Sequence, residues 1–155
     1  MKGAHADARL LEILVLEDNP ADIRYMAEVF KDARLANRVT ALRDGDSALR
    51  YLRGEGEYAG SPRPDLVLLD LNLPGTDGRQ VLAAIRRDPL LRTLPVIVLT
   101  TSTLAEDVSR SYDMRADSYM TKPVDMPQLI RAVMCLDGIG LALVAQRPPA
   151  EPPAR

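Results

Sequence analysis

The sequence predicts an α/β fold with a doubly wound, parallel five-stranded sheet, (βα)5, on three observations. The runs Ile13-Leu14-Val15-Leu16, Leu66-Val67-Leu68-Leu69 and Val96-Ile97-Val98-Leu99 are continuously apolar, as strands covered on both faces are. Segments between the strands carry apolar residues at helical spacing. Strand and helix alternate along the chain, and right-handed crossovers then place helices on both faces of one sheet.

The first run ends in Glu17-Asp18. Asn19 suits an N-cap and Pro20 the first helical position, and Ile23, Met26, Ala27 and Phe30 mark the inward stripe of the first helix. Residues 38–42 read as a short second strand, and residues 46–53 as a helix with Ala48, Leu49 and Leu52 turned inward. Glycine and proline are too dense in residues 54–64 for either periodicity, so that stretch is an inserted loop. The third strand ends at Asp70 and enters Asn72-Leu73-Pro74-Gly75-Thr76-Asp77-Gly78, a tight turn. A helix follows over residues 78–87 on Val81, Leu82 and Ile85, and residues 89–95 connect it to a strand ending at Thr100. A helix near residues 104–114 leads to a short fifth strand around Ser118, Tyr119 and Met120, which runs into Lys122-Pro123. Asp125-Met126-Pro127-Gln128 opens the last helix with a capping box and an early proline.

A chain of 155 residues is one domain by length and large enough to fold without staples. Residues 1–10 are expected to be a flexible N-terminus, residues 11–145 the folded domain with an extended last helix, and residues 146–155 a disordered, proline-rich tail. The net charge of −2 leaves no basic footprint, so nucleic acid is not expected as a direct ligand. The sequence has no long apolar span or leader, and its one cysteine, Cys135, has no partner for an internal disulfide. We therefore expect a cytoplasmic protein without membrane contact. His5, the single histidine, has no second histidine or cysteine cluster with which to hold a metal. Apolar residues continue from Leu129 to Val144, beyond what one face needs, which predicts a homodimer through the C-terminal helical region.

In an open parallel sheet the carboxyl ends of the strands share one edge, where ligands bind. Glu17, Asp18, Asp70, Thr100 and Lys122 would meet there. Three converging acids repel unless a cation neutralises them, and Mg2+ prefers such oxygen donors. Asp18 and Asp70 would ligate it directly, the backbone carbonyl of Asn72 would add an oxygen, and Glu17 would act through a coordinated water. Asp70, beside a turn that keeps the backbone away, is open to a phosphoryl donor. Lys122 would face the phosphoryl oxygens as a point charge, and Thr100 would donate a hydroxyl hydrogen bond.

Glu17-Asp18, Asp70 with its Leu73-to-Gly78 turn, Thr100 and Lys122-Pro123, in that order, resemble the receiver domains of bacterial two-component response regulators over residues 10–138. The resemblance implies a flavodoxin-like sheet of strand order 2-1-3-4-5. It also implies phosphoryl acceptance on Asp70 from a histidine kinase or a small phosphodonor, with later hydrolysis. No reaction on outside substrates is implied. Thr100 resembles the switch hydroxyl and Tyr119 the aromatic switch that reshapes the surface of the fourth helix, fifth strand and fifth helix. A cis Lys122–Pro123 bond is expected by the same resemblance. Glu17 stands where the family often has Asp, and Thr101 where many members have a smaller alanine. Asn72 and Ser102 flank the pocket and are expected to tune the phosphoryl lifetime. Residues 54–64, Leu99-Thr100-Thr101-Ser102 and Thr121-Lys122-Pro123-Val124-Asp125 resemble stand-alone receivers that pair with phytochrome-type sensor kinases. Output would then pass through a protein contact or a phosphate relay. Two other readings are a Mg2+-dependent phosphatase and an unphosphorylated scaffold. Asn72, in place of a second acid, argues against the first, and the complete acid, hydroxyl and lysine set against the second.

Overall fold

The computed structural model describes residues 10–32, 36–73, 77–100, 115–122 and 124–134. The expected helix at 104–114, the centre of the Pro74-Gly75-Thr76 turn, the Lys122–Pro123 bond, Thr101, Ser102, His5, Cys135, the apolar stretch beyond residue 134 and both expected loose ends lie outside these residues. Strands β1 (Leu11–Leu16), β2 (Asn37–Leu42), β3 (Leu66–Asp70), β4 (Val96–Thr100) and β5 (Ser118–Thr121) are described, with helices α1 (Pro20–Asp32), α2 (Gly45–Arg53), α3 (Gly78–Arg87) and α4 (Met126–Met134). The strands form one parallel sheet in the order β2-β1-β3-β4-β5. Fold class and strand order agree with the sequence reading.

Alternate residues of the strands point to opposite faces, and each face has its own core. Ile13, Val15, Leu66, Leu68, Ile97 and Leu99 pack under α1 and α4. Leu14, Leu16, Val67, Leu69, Val96 and Val98 pack under α2 and α3. The central strands therefore carry apolar runs that face both layers, and register aligns their ends: Leu16 pairs with Leu69, Asp70 with Leu99, and Thr100 with Thr121.

The helices follow the expected boundaries, with a correction to the inward face of α1. In α1 the buried residues are Met26, Val29 and Phe30. Ala27 is exposed and Ile23 only half-buried. Ala27 sits on a groove beside Leu10 and Val39 that its single methyl group does not fill. In α2, Ala48 is buried and Leu49 and Leu52 pack partly buried against the core as expected, and Tyr51 is buried beside them. The Tyr51 ring meets Tyr58 edge-on at 5.5 Å, and the Arg50 guanidinium lies 5.4 Å over Tyr58. These contacts pin the inserted loop, which also contains a short 3-10 turn at Gly56–Tyr58. Helix α3 buries Val81, Leu82 and Ile85 as expected. The last helix begins with Asp125 Oδ2 accepting from the Gln128 N–H at 3.0 Å, half of the expected capping box.

Arg86, also buried on α3, is a hub that periodicity does not reveal. Its Nε donates to the Arg115 carbonyl at 2.8 Å and its Nη1 to the carbonyls of Arg92 and Leu94 at 3.0 and 2.7 Å. Its Nη2 pairs with Asp117 Oδ2 at 2.9 Å, an oxygen that also accepts from the Val96 N–H at 2.8 Å. Arg115 has φ 66°, a left-handed conformation that costs a side-chain-bearing residue about 1–2 kcal/mol. The Arg86 bond holds that strained residue where the chain enters β5.

Candidate functional site

Two acids follow the end of β1. Glu17 is 1% exposed and its N–H donates to the Leu42 carbonyl at 3.0 Å, which fixes it beside β2. Its Oε2 accepts from the Asn19 N–H at 3.2 Å. Asp18 is half-buried, and its carbonyl accepts from Arg43 Nη2 at 3.0 Å.

Asp70 closes β3 and is 4% exposed. Its Oδ1 accepts from the Asn72 N–H at 2.9 Å, a side chain-to-backbone bond that turns the chain away from the sheet. The start of α3 approaches from below. The Gly78 N–H donates to the Leu71 carbonyl at 3.2 Å, and a Cβ at Gly78 would lie 2.4 Å from the Asp70 carbonyl oxygen and 2.7 Å from the Leu71 Cα. The obstruction is backbone, so it cannot swing aside. Gly78→Ala is expected to destabilise the fold by about 1–3 kcal/mol, the usual range for overpacking. Urea titration would check this; an unchanged midpoint would refute the close-approach account.

Lys122 reaches the acids from the end of β5. Its N–H donates to the Thr100 carbonyl at 2.8 Å, which anchors the root of the side chain to β4. The ammonium contacts Glu17 Oε1 at 2.5 Å, Asp70 Oδ2 at 2.9 Å and Asp22 Oδ2, on the first turn of α1, at 3.2 Å. Burial pushes the Glu17 carboxyl above its ordinary range, and the Asp70 charge adds to this against the opposing hydrogen bonds from Lys122 and the Asn19 N–H. For Lys122, burial acts to lower the pKa but is outweighed by hydrogen bonds and charges from Asp70 and Glu17, so the side chain stays an ammonium.

Oxygens of Glu17, Asp18 and Asp70 all lie within 4.8 Å of one another. Three hard carboxylate donors at one sheet edge suit a small divalent cation such as magnesium. Thr100 is 2% exposed at the end of β4. Tyr119 is half-buried, and its hydroxyl oxygen accepts from Thr121 Oγ1 at 3.4 Å. The Asn72 side chain is exposed. Glu17, Asp18, Asp70 and Lys122 are thus assembled, while Ser102 and Thr101 lie outside the described residues. Sequence reasoning missed Asp22 and the role of Gly78. The signal for Asp22 was weak, because an acid in the first turn of a helix is ordinary helix-dipole complementation.

A parallel 2-1-3-4-5 sheet with this cluster at its carboxyl edge defines a receiver domain. Residues 13–134 match the response regulator receiver domain model, and the chain belongs to that family. Among its relatives, response regulator Rcp1 of Synechocystis is 44% identical, over 85% of this chain and 90% of Rcp1. The structure of the Mn2+-bound form of Rcp1 superposes with a TM-score of 0.72 at 42% identity, covering 82% of this chain and 95% of that one. The structure of the phosphorylated cyanobacterial phytochrome response regulator RcpA gives 0.72 at 43% identity, covering 92% of this chain and all of RcpA. A third relative is the receiver domain of sensor histidine kinase PA1611 from Pseudomonas aeruginosa, with a magnesium ion in its active site cleft. It is 29% identical with a TM-score of 0.71, over 85% of this chain and 99% of that one. No helix among the described residues is long and apolar enough to cross a membrane.

Proposed function

We propose that the protein is a stand-alone response regulator that accepts a phosphoryl group on Asp70 from a histidine kinase. The observation that carries the reading is a nearly buried Asp70 whose Oδ2 faces the Lys122 ammonium inside a three-acid cluster. Asp18, Asp70 and the Asn72 carbonyl would hold Mg2+, with Glu17 acting through a bound water, and the ion would supply positive charge to the phosphoryl oxygens. An Asp70 carboxylate oxygen attacks phosphorus in line with the leaving imidazole nitrogen of the kinase. The P–N bond breaks and the nitrogen keeps the electron pair. Lys122 faces the phosphoryl oxygens. Thr100 donates to one of those oxygens and Tyr119 follows it inward, which changes the surface around β5. Asn72 and Ser102 tune hydrolysis.

Similarity to RcpA supports a phytochrome-type kinase as the partner. The reading includes a cytoplasmic location, a homodimer through the C-terminal helical region, and no turnover of outside substrates. Acetyl phosphate with Mg2+ is expected to add one phosphoryl group per chain by intact mass, and chelation to abolish the addition. Equal labelling in excess chelator would overturn the metal-dependent mechanism.

A further inference from the structure

The Lys122 ammonium contacts two of the three carboxylates gathered at the site. It contacts Glu17 Oε1 and Asp70 Oδ2 directly, and these residues form the acid cluster with Asp18. An ammonium and a divalent cation held by the same carboxylates repel each other, so loading the site favours a lysine that draws back. Its backbone is tied to Thr100, so only the flexible stem can move.

We propose that Asp22 is the positioning residue that receives the Lys122 ammonium as the cation enters, and so sets the affinity of the site for its metal. This rests on the cation-binding reading above. Three observations carry it. Asp22 is already in contact with Nζ, at 3.2 Å. Among the described residues it is the one partner outside the acid cluster, and its side chain is 41% exposed, against 1% for Glu17 and 6% for Asp70. It can therefore keep the ammonium while the buried pair is surrendered. There is also room: a cavity of about 250 Å3 borders Lys122, Asp22 and Glu17 over an apolar floor of Met26, Leu99 and Val124. Such a floor suits the methylenes of a lysine whose head stays polar. The far wall is fixed by Tyr25, whose hydroxyl donates to the Val124 carbonyl. Without Asp22, metal entry would strand the ammonium with no carboxylate.

The test is a Mn2+ titration of the full chain without phosphodonor, with free Mn2+ followed by electron paramagnetic resonance. Asp22→Asn is expected to weaken binding roughly 5- to 10-fold, within the range of measured pairwise couplings, and Asp22→Glu to restore it. In a Lys122→Met background Asp22→Asn should have no effect, because there is no ammonium to receive. An equal loss in both backgrounds would make Asp22 a general negative charge and overturn the proposal, as would no loss in the lysine-containing chain or no rescue by Glu. If Lys122→Met does not fold, the 15N signal of the Lys122 ammonium decides. At saturating Mg2+ it should stay visible in wild type and be broadened away by solvent exchange in Asp22→Asn; equal visibility would overturn the proposal. Wild type that binds no Mn2+ would instead sink the cation-binding reading itself.

Discussion

Asp70→Asn is expected to take up no phosphoryl group from acetyl phosphate and Mg2+ while keeping the fold. The substitution preserves shape but removes the negative oxygen that attacks phosphorus. It also breaks the symmetry of the hydrogen bonds. Oδ1 and Oδ2 now accept from the Asn72 N–H and from Lys122, and an amide offers one acceptor and one donor, so one of these positions would meet donor against donor. The fold survives because Lys122 keeps Glu17 and Asp22 as partners. Intact-mass measurement before and after incubation, beside a thermal melt, reads both effects. Labelling of Asp70→Asn to the wild-type level would remove Asp70 from its role.

The second large effect is on stability, far from the chemistry. Arg86→Leu is expected to lower the unfolding free energy by about 1–3 kcal/mol, mostly through the buried carbonyl it leaves unmet, since its ion-pair partner Asp117 is itself 39% exposed. Leucine fills much of the volume but supplies no donors, so the carbonyls of Arg92, Leu94 and Arg115 lose their partner. An unmet buried carbonyl costs about 1–3 kcal/mol, and strained Arg115 loses its tie. Asp117→Asn should cost much less, since its side chain is 39% exposed and an amide oxygen still accepts from the Val96 N–H. Urea midpoints at constant slope would measure the difference; a loss below about 1 kcal/mol for Arg86→Leu would contradict the hub.

Much of this was legible in the chain. The continuous apolar runs identified the central strands because a sheet covered on both faces buries successive residues, and Glu17, Asp18, Asp70, Thr100 and Lys122 were readable because strands announce where they end. Helix faces were less secure. Ala27 and Val29 are both apolar on α1, yet only the valine joins the core while Ala27 stays exposed. Tyr51 was passed over in α2 because its burial depends on Tyr58 folding back from the inserted loop.

Local pattern by itself determined the fold class, the order of elements and the identity of the acids, hydroxyl and lysine at the sheet edge. Tertiary structure alone decided the rest. Arg86 serves backbone carbonyls and Asp117 up to 31 residues away, and Gly78 is needed because another stretch of backbone passes beneath it. Asp22 meets a lysine 100 residues distant. Periodicity reports which side of an element avoids water, whereas pairing between remote polar groups depends on distances that exist only once the sheet has assembled.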